Sequence, residues 1–151
     1  MVKKLDHVGI VVSNLDESIP LYERILGVKP VAVQDVPTQS VRAAFFEVGN
    51  GVEVELIQPI EPNSGVARFL KKRGQGVHHI CFEVDEVDKE LEAMAEKGIE
   101  PVSRQGQYDV TGRIGFLHPR STRGVLIELA QYKNLEKGIT VGSRKNKGTG
   151  S

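Results

Sequence analysis

The sequence predicts an α+β fold made of two β-α-β-β-β units in tandem, and three observations predict it. An internal repeat is the first: "HVGIVVSNLD" (7–16) lies over "HICFEVDEVD" (79–88), with apolar positions, polar break and closing aspartate in step. The same order returns in "GVKPV" (27–31) over "GIEPV" (98–102) and in "GVEVELIQ" (51–58) over "GVLIELAQ" (124–131). The second is that each copy opens with a β-branched apolar run of strand length and closes on three more. The third is a single helix-period segment between them in each copy. The modules are read as 1–60 and 76–133, joined by a connector at 61–75 and followed by a tail at 134–151.

Each element has a local reason. "LDHVGIVV" is a strand ended by "SNLDE", where Asn14 and Glu17 have capping-box spacing. The helix that follows runs to Leu26 and stops at Gly27, with Pro20 predicting an irregular start or a kink because a proline beyond the first turn removes a backbone bond. Strands are expected at 28–35, 41–48 and 52–59. In the connector, "PNSGVARFLKKRGQG" reads as a short helix capped by Ser64 and ended near Gly74. "GVHHICFEV" opens the second copy, with Asp85 expected to cap "VDKELEAMAEKG", whose Val87, Leu91 and Met94 face the sheet and whose stop is Gly98. Strands at 99–104, 112–118 and 124–131 complete it.

Composition narrows the function. The 151 residues suffice for one domain with a real core. Lysine plus arginine equal aspartate plus glutamate at 20 each, so no global field favours nucleic acid or an anionic membrane. No apolar run reaches the roughly 18 residues of a membrane span, and the start lacks a signal-peptide pattern. The single cysteine, Cys81, has no internal disulfide partner and sits in an apolar run. A cytoplasmic location is expected. "GSRKNKGTGS" at the end is small, polar and basic, and the tail is expected to be disordered.

The repeat pairs chemistry-bearing residues. His7 falls on His79, and Glu55 on Glu128 within the shared pattern [VI]-E-L-x-Q. Those glutamates are flanked by residues that a strand buries, and a carboxylate buried alone is costly unless it is paired, protonated or metal-bound. Two imidazoles and two carboxylates delivered by equivalent strands form a set of N and O donors suited to one divalent ion: zinc, nickel, cobalt, manganese or iron. Any one of the four alone would more often face solvent or make an ordinary hydrogen bond. His78, adjacent to His79, points to the other face of the strand. His118 in "FLHPRSTRG" suits a cap or a substrate contact. "RFLKKRG" reads as a solvated face, although Arg68, Lys71, Lys72 and Arg73 could also meet a phosphate-bearing ligand.

A duplicated β-α-β-β-β unit with donors at the start of its first strand and within its last resembles the vicinal oxygen chelate superfamily, which includes glyoxalase I, extradiol dioxygenases, fosfomycin-resistance proteins and methylmalonyl-CoA epimerases. Over about residues 4–132 the chain is most similar to the epimerases, through "LDHVGIVVSNLDESIPLYERILG", "GVHHICFEVDEVD" and above all "FLHPRSTRGVLIELAQ". The resemblance implies curved sheets forming an open, barrel-like cleft around a metal held by His7, Glu55, His79 and Glu128, in a homodimer. It further implies interconversion of (2R)- and (2S)-methylmalonyl-CoA by 1,1-proton transfer through a metal-stabilised enediolate, with an acyl-CoA as the partner molecule.

Inversion needs two acid/base groups. Glu128, beside the metal, is the first candidate. Where some family members carry a further glutamate, this sequence has Ala43; Glu47, of the same strand parity, is a weaker candidate for the second, with a bound water or Glu55 as alternatives. Glyoxalase I, with the same four ligands, and a non-catalytic small-molecule binder of the same fold are the alternatives. A dioxygenase fits less well, since its two-histidine, one-carboxylate site leaves Glu55 without a role.

Overall fold

The computed structural model describes residues 1–109 and 112–132; the expected tail at 134–151 lies outside them. Its elements, in chain order, are β1 (Val2–Val11), α1 (Leu15–Leu26), β2 (Ala32–Val36), β3 (Val41–Glu47), β4 (Glu53–Pro59), α2 (Gly65–Arg73), β5 (Gly76–Val84), α3 (Val87–Glu96), β6 (Gln107–Tyr108), β7 (Gly112–Leu117) and β8 (Leu126–Tyr132). The class is α+β, each repeat supplying one helix and four strands. The described residues group into two compact units, 8–78 and 1–7 with 79–132, so that β1 divides after His7 and β5 after His78. No described helix is long and apolar enough to cross a membrane.

In the 8–78 unit, β3 pairs antiparallel with both β2 and β4, with Phe45 opposite Glu55 and Glu47 opposite Glu53. Side-chain alternation separates two apolar layers. Even-numbered Ala44, Phe46 and Leu56 meet α1 through Leu15, Ile19, Tyr22 and Leu26, which recur at helical spacing. Odd-numbered Val41, Ala43, Phe45 and Ile57 pack on the other face with Val66 and Phe69 of α2.

In the other unit β8 runs parallel to β5 and antiparallel to β7, which pairs with β6. Val87, Leu91 and Met94 of α3 pack on Leu117 and Leu129, as the periodicity predicts. Cys81, Ile114 and Ala130 form the opposite layer with Phe116 and Tyr132.

Most boundaries follow the sequence. Asn14 accepts from the Glu17 amide at 3.1 Å, Ser64 caps α2 by accepting from Ala67, and Gly27 ends α1 at φ 71°, where a side chain would be strained. Pro20 is accommodated inside α1.

Two expectations fail. Asp85 does not cap α3; the N-cap is Glu86, and it makes no side-chain cap bond. The strand expected at 99–104 shrinks to a single bridge between Pro101 and Leu117, and the strand forms later, at β6. Proline at 101 has no amide to donate to a ladder; the Val102 amide still reaches the Phe116 carbonyl at 2.8 Å.

Both main helices are also capped from a distance. Gln58 accepts from the Leu15 amide at 2.7 Å and Gln131 from the Val87 amide at 3.0 Å. These glutamines close the matched "ELIQ" and "ELAQ" segments, so the repeat includes its own helix cap. Gln58→Ala and Gln131→Ala are each expected to lose about 1 kcal/mol of stability, read as a lower urea midpoint with unchanged slope. Glutamate at either position should retain more stability than alanine, since an anion suits a helix N-terminus.

Candidate metal centre

The 1–7 and 79–132 unit gathers three of the expected donors. His7 comes from β1, His79 from β5 and Glu128 from β8, and each is about 1 % exposed. The two Nε2 atoms stand 2.9 Å apart, with the rings edge to face at 88°. Glu128 Oε2 lies 3.2 Å from His7 Nε2 and 3.1 Å from His79 Nε2.

Local sequence explains the convergence. Cys81 is in register with Glu128 across the parallel β5–β8 pair, and Phe116 faces Glu128 from β7. The carboxylate therefore ends an apolar row that continues through Ala130 and Ile114. Burial raises the pKa of the Glu128 carboxyl, but the facing His7 and then His79 imidazoles outweigh it and hold the group well below the usual carboxylate range.

A fourth group orders the first histidine. His7 Nδ1 is 2.6 Å from Asp6 Oδ2, and Asp6 is itself buried at 4 % exposure. An ionised carboxylate only accepts, so the ring proton sits on Nδ1 and the His7 Nε2 lone pair is directed at His79 and Glu128. A carboxylate behind a ligating imidazole is a recurring arrangement that fixes tautomer and ring orientation.

These residues fit a divalent cation. Glu128 Oε2 is a buried acceptor that receives no hydrogen bond, and it meets a lone pair on at least one of the two nitrogens. Such a cluster is repulsive until positive charge enters it. Donors bound to one ion at about 2.1 Å in adjacent positions at right angles stand about 3.0 Å apart, close to the separations found. A second possible set, Asp6, His7 and Cys81, has donor atoms within 4.8 Å of one another. Burial pushes the Cys81 thiol well up, away from the thiolate that a metal requires.

The remaining predicted residues lie in the 8–78 unit. Glu55 is 3 % exposed on β4. Ala43 is fully buried on β3, whereas Glu47 is exposed at that strand's end. His78 is half-buried with its ring edge-on to Phe69, 4.9 Å between centroids. In the other unit His118 caps a 3-10 turn at Pro119–Ser121 by accepting from the Arg120 amide at 3.2 Å.

Sequence reasoning missed Asp6 and Glu53. The alternation in "EVE" was the available signal for Glu53, which is 3 % exposed on the same face as Glu55. For Asp6 no such signal exists, because neighbours on a strand ordinarily diverge.

The chain is similar to known proteins. Residues 6–116 match the Glyoxalase/Bleomycin resistance protein/Dioxygenase superfamily. The chain is 35% identical over 130 residues to the mitochondrial methylmalonyl-CoA epimerase of Homo sapiens, covering 85% of this chain and 73% of that one. The crystal structure of methylmalonyl-CoA epimerase from Mycobacterium tuberculosis superposes with a TM-score of 0.81 at 34% identity, covering 87% and 89%. A variant of the Streptomyces coelicolor epimerase in complex with 2-nitronate-propionyl-CoA gives a TM-score of 0.81 at 30% identity, covering 91% and 99%. The chain therefore belongs to the glyoxalase/bleomycin resistance/dioxygenase superfamily and, within it, to the isomerase family of the methylmalonyl-CoA epimerases.

Proposed function

We propose that the chain epimerises methylmalonyl-CoA at its α-carbon, using a divalent cation held by His7, His79, Glu128 and Glu55. The observation that carries this reading is the buried convergence of two imidazole nitrogens and a carboxylate oxygen at 2.9–3.2 Å. Glu55 joins the set as the repeat counterpart of Glu128, buried like it. The acyl-CoA assignment draws on the relatives, one of them a complex with a propionyl-CoA derivative. A homodimer, implied by the family resemblance, and a cytoplasmic location, expected from the sequence composition, accompany it.

A bound divalent ion would supply positive charge to the oxygens of the thioester and carboxylate, making the α-proton more acidic. The residues then do the rest. Asp6 keeps His7 Nε2 free of a proton, so that nitrogen presents its lone pair to the cluster. Glu128, within the cluster, accepts or returns the α-proton on one face of the substrate, and the apolar row of Ile114, Ala130 and Phe116 beside it keeps water away.

Inversion requires a second group on the opposite face. Ala43 offers none. Glu47, on the same face of β3 and opposite Glu53, is the titratable group that the strand provides.

The test is α-proton exchange of methylmalonyl-CoA in deuterated water, with metal-loaded and chelator-treated protein side by side. Exchange that needs metal and accompanies inversion supports the reading. Absence of exchange at full metal occupancy removes it; turnover of a glutathione hemithioacetal would then indicate glyoxalase chemistry, and binding without turnover a sequestering protein.

A further inference from the structure

The connector helix has a charge pattern that its packing does not require. α2 carries four cations, Arg68, Lys71, Lys72 and Arg73, and no carboxylate, in a chain whose charges balance overall. All four are exposed. Among the described residues none pairs with an acid: Arg68 donates to the Asn63 carbonyl at 2.6 Å, and Arg73 lies over the Phe69 ring at 5.6 Å.

Arg68, Lys71 and Lys72 stand at i, i+3 and i+4, a single stripe opposite the face that buries Val66. Like charges at that spacing destabilise a helix. The helix dipole favours cations in the last turn, which explains Lys71, Lys72 and Arg73 but leaves Arg68 a turn too early.

The helix is also held in place. Phe69 lies beneath the Arg73 guanidinium and packs edge-to-face with His78, 4.9 Å between the two ring centroids, so α2 is fastened to β5 at the residue before His79. Ser64 caps its start. A charged face on an anchored helix loses little entropy when a ligand arrives.

We infer that the Arg68–Lys71–Lys72 face of α2 binds the phosphates of the acyl-CoA nucleotide. The inference rests on the acyl-CoA reading above and extends it to a binding subsite. The stripe spans about 6 Å along the helix axis, a length suited to a diphosphate. A nucleic-acid surface draws on many more phosphate contacts, of the order of six to ten, than three cations on a nine-residue helix can make. Remote contacts of this kind hold the substrate without entering the chemistry, so they act on KM.

The test compares wild type with R68Q/K71Q/K72Q, after thermal melts establish that both fold. Binding of coenzyme A is measured by calorimetry, and turnover is measured with methylmalonyl-CoA and with methylmalonyl-pantetheine, which lacks the nucleotide. In the triple variant, coenzyme A should bind about tenfold more weakly, with the difference shrinking at high salt. KM for methylmalonyl-CoA should rise to match, kcat should stay within about twofold, and the pantetheine thioester should show no change. K71R/K72R should bind as wild type does.

Equal coenzyme A affinity in wild type and triple variant would overturn the inference. So would no binding by the wild type, or an equal rise in KM for both thioesters. If the wild type binds coenzyme A but turns over neither thioester, the epimerase reading fails while the binding comparison still decides the subsite.

Discussion

Glu128→Gln is expected to lower the rate of α-proton exchange at saturating methylmalonyl-CoA about a thousandfold, the largest effect of any single change considered. Two losses combine. Glutamine keeps the shape but removes the negative charge that faces His7 and His79 at 3.2 and 3.1 Å, so the metal binds more weakly. It also removes a group able to take a proton, and positioned acid/base catalysis is worth about a hundred- to ten-thousandfold. A titration with excess metal separates the two. If Glu128 serves only as a ligand, saturating metal restores the rate to near wild type; if it also moves the proton, a deficit of about a hundredfold or more persists at full occupancy. Wild-type exchange together with wild-type metal affinity in the variant would remove Glu128 from both roles.

The sequence made some of this legible and concealed the rest for physical reasons. The internal repeat carried the donor residues because duplicated strands present duplicated faces. His7 on His79 and Glu55 on Glu128 needed only the alignment and the cost of burying charge. Helix interiors were equally readable: Val87, Leu91 and Met94 recur at helical spacing and pack where that spacing predicts.

Most of what escaped depended on partners distant in sequence. Gln58 and Gln131 cap helices that begin 43 and 44 residues earlier in the chain, and no local pattern marks a glutamine as a cap. Asp85 looked like the cap of α3 on local preference alone, but the tertiary bond from Gln131 had already satisfied the first amide of that helix. The shift of a strand from 99–104 to β6 followed from Pro101, whose missing amide weakens any ladder it joins. Asp6 escaped for a different, local reason: it reads as a strand neighbour destined for the opposite face, yet it bonds to the ring beside it.

Asp6 offers the second large effect. Its carboxylate binds His7 Nδ1 at 2.6 Å with both side chains buried, and it touches none of the proposed reacting atoms. It is a positioning residue: it selects the tautomer in which His7 Nε2 can donate to a cation. Asp6→Asn preserves an acceptor oxygen but loses the charge, and Asp6→Ala loses both while leaving a buried imidazole N–H unsatisfied. Metal affinity, measured by competition with a chelator and so independent of turnover, is expected to fall about tenfold for Asn and about a hundredfold for Ala. Once metal saturates the Asn variant, exchange should recover most of its wild-type rate, because the proton-transfer group at Glu128 is untouched. That recovery distinguishes Asp6 from Glu128, whose loss metal cannot repair. Unchanged affinity in both Asp6 variants would show that His79 and the carboxylates hold the ion without an ordered His7.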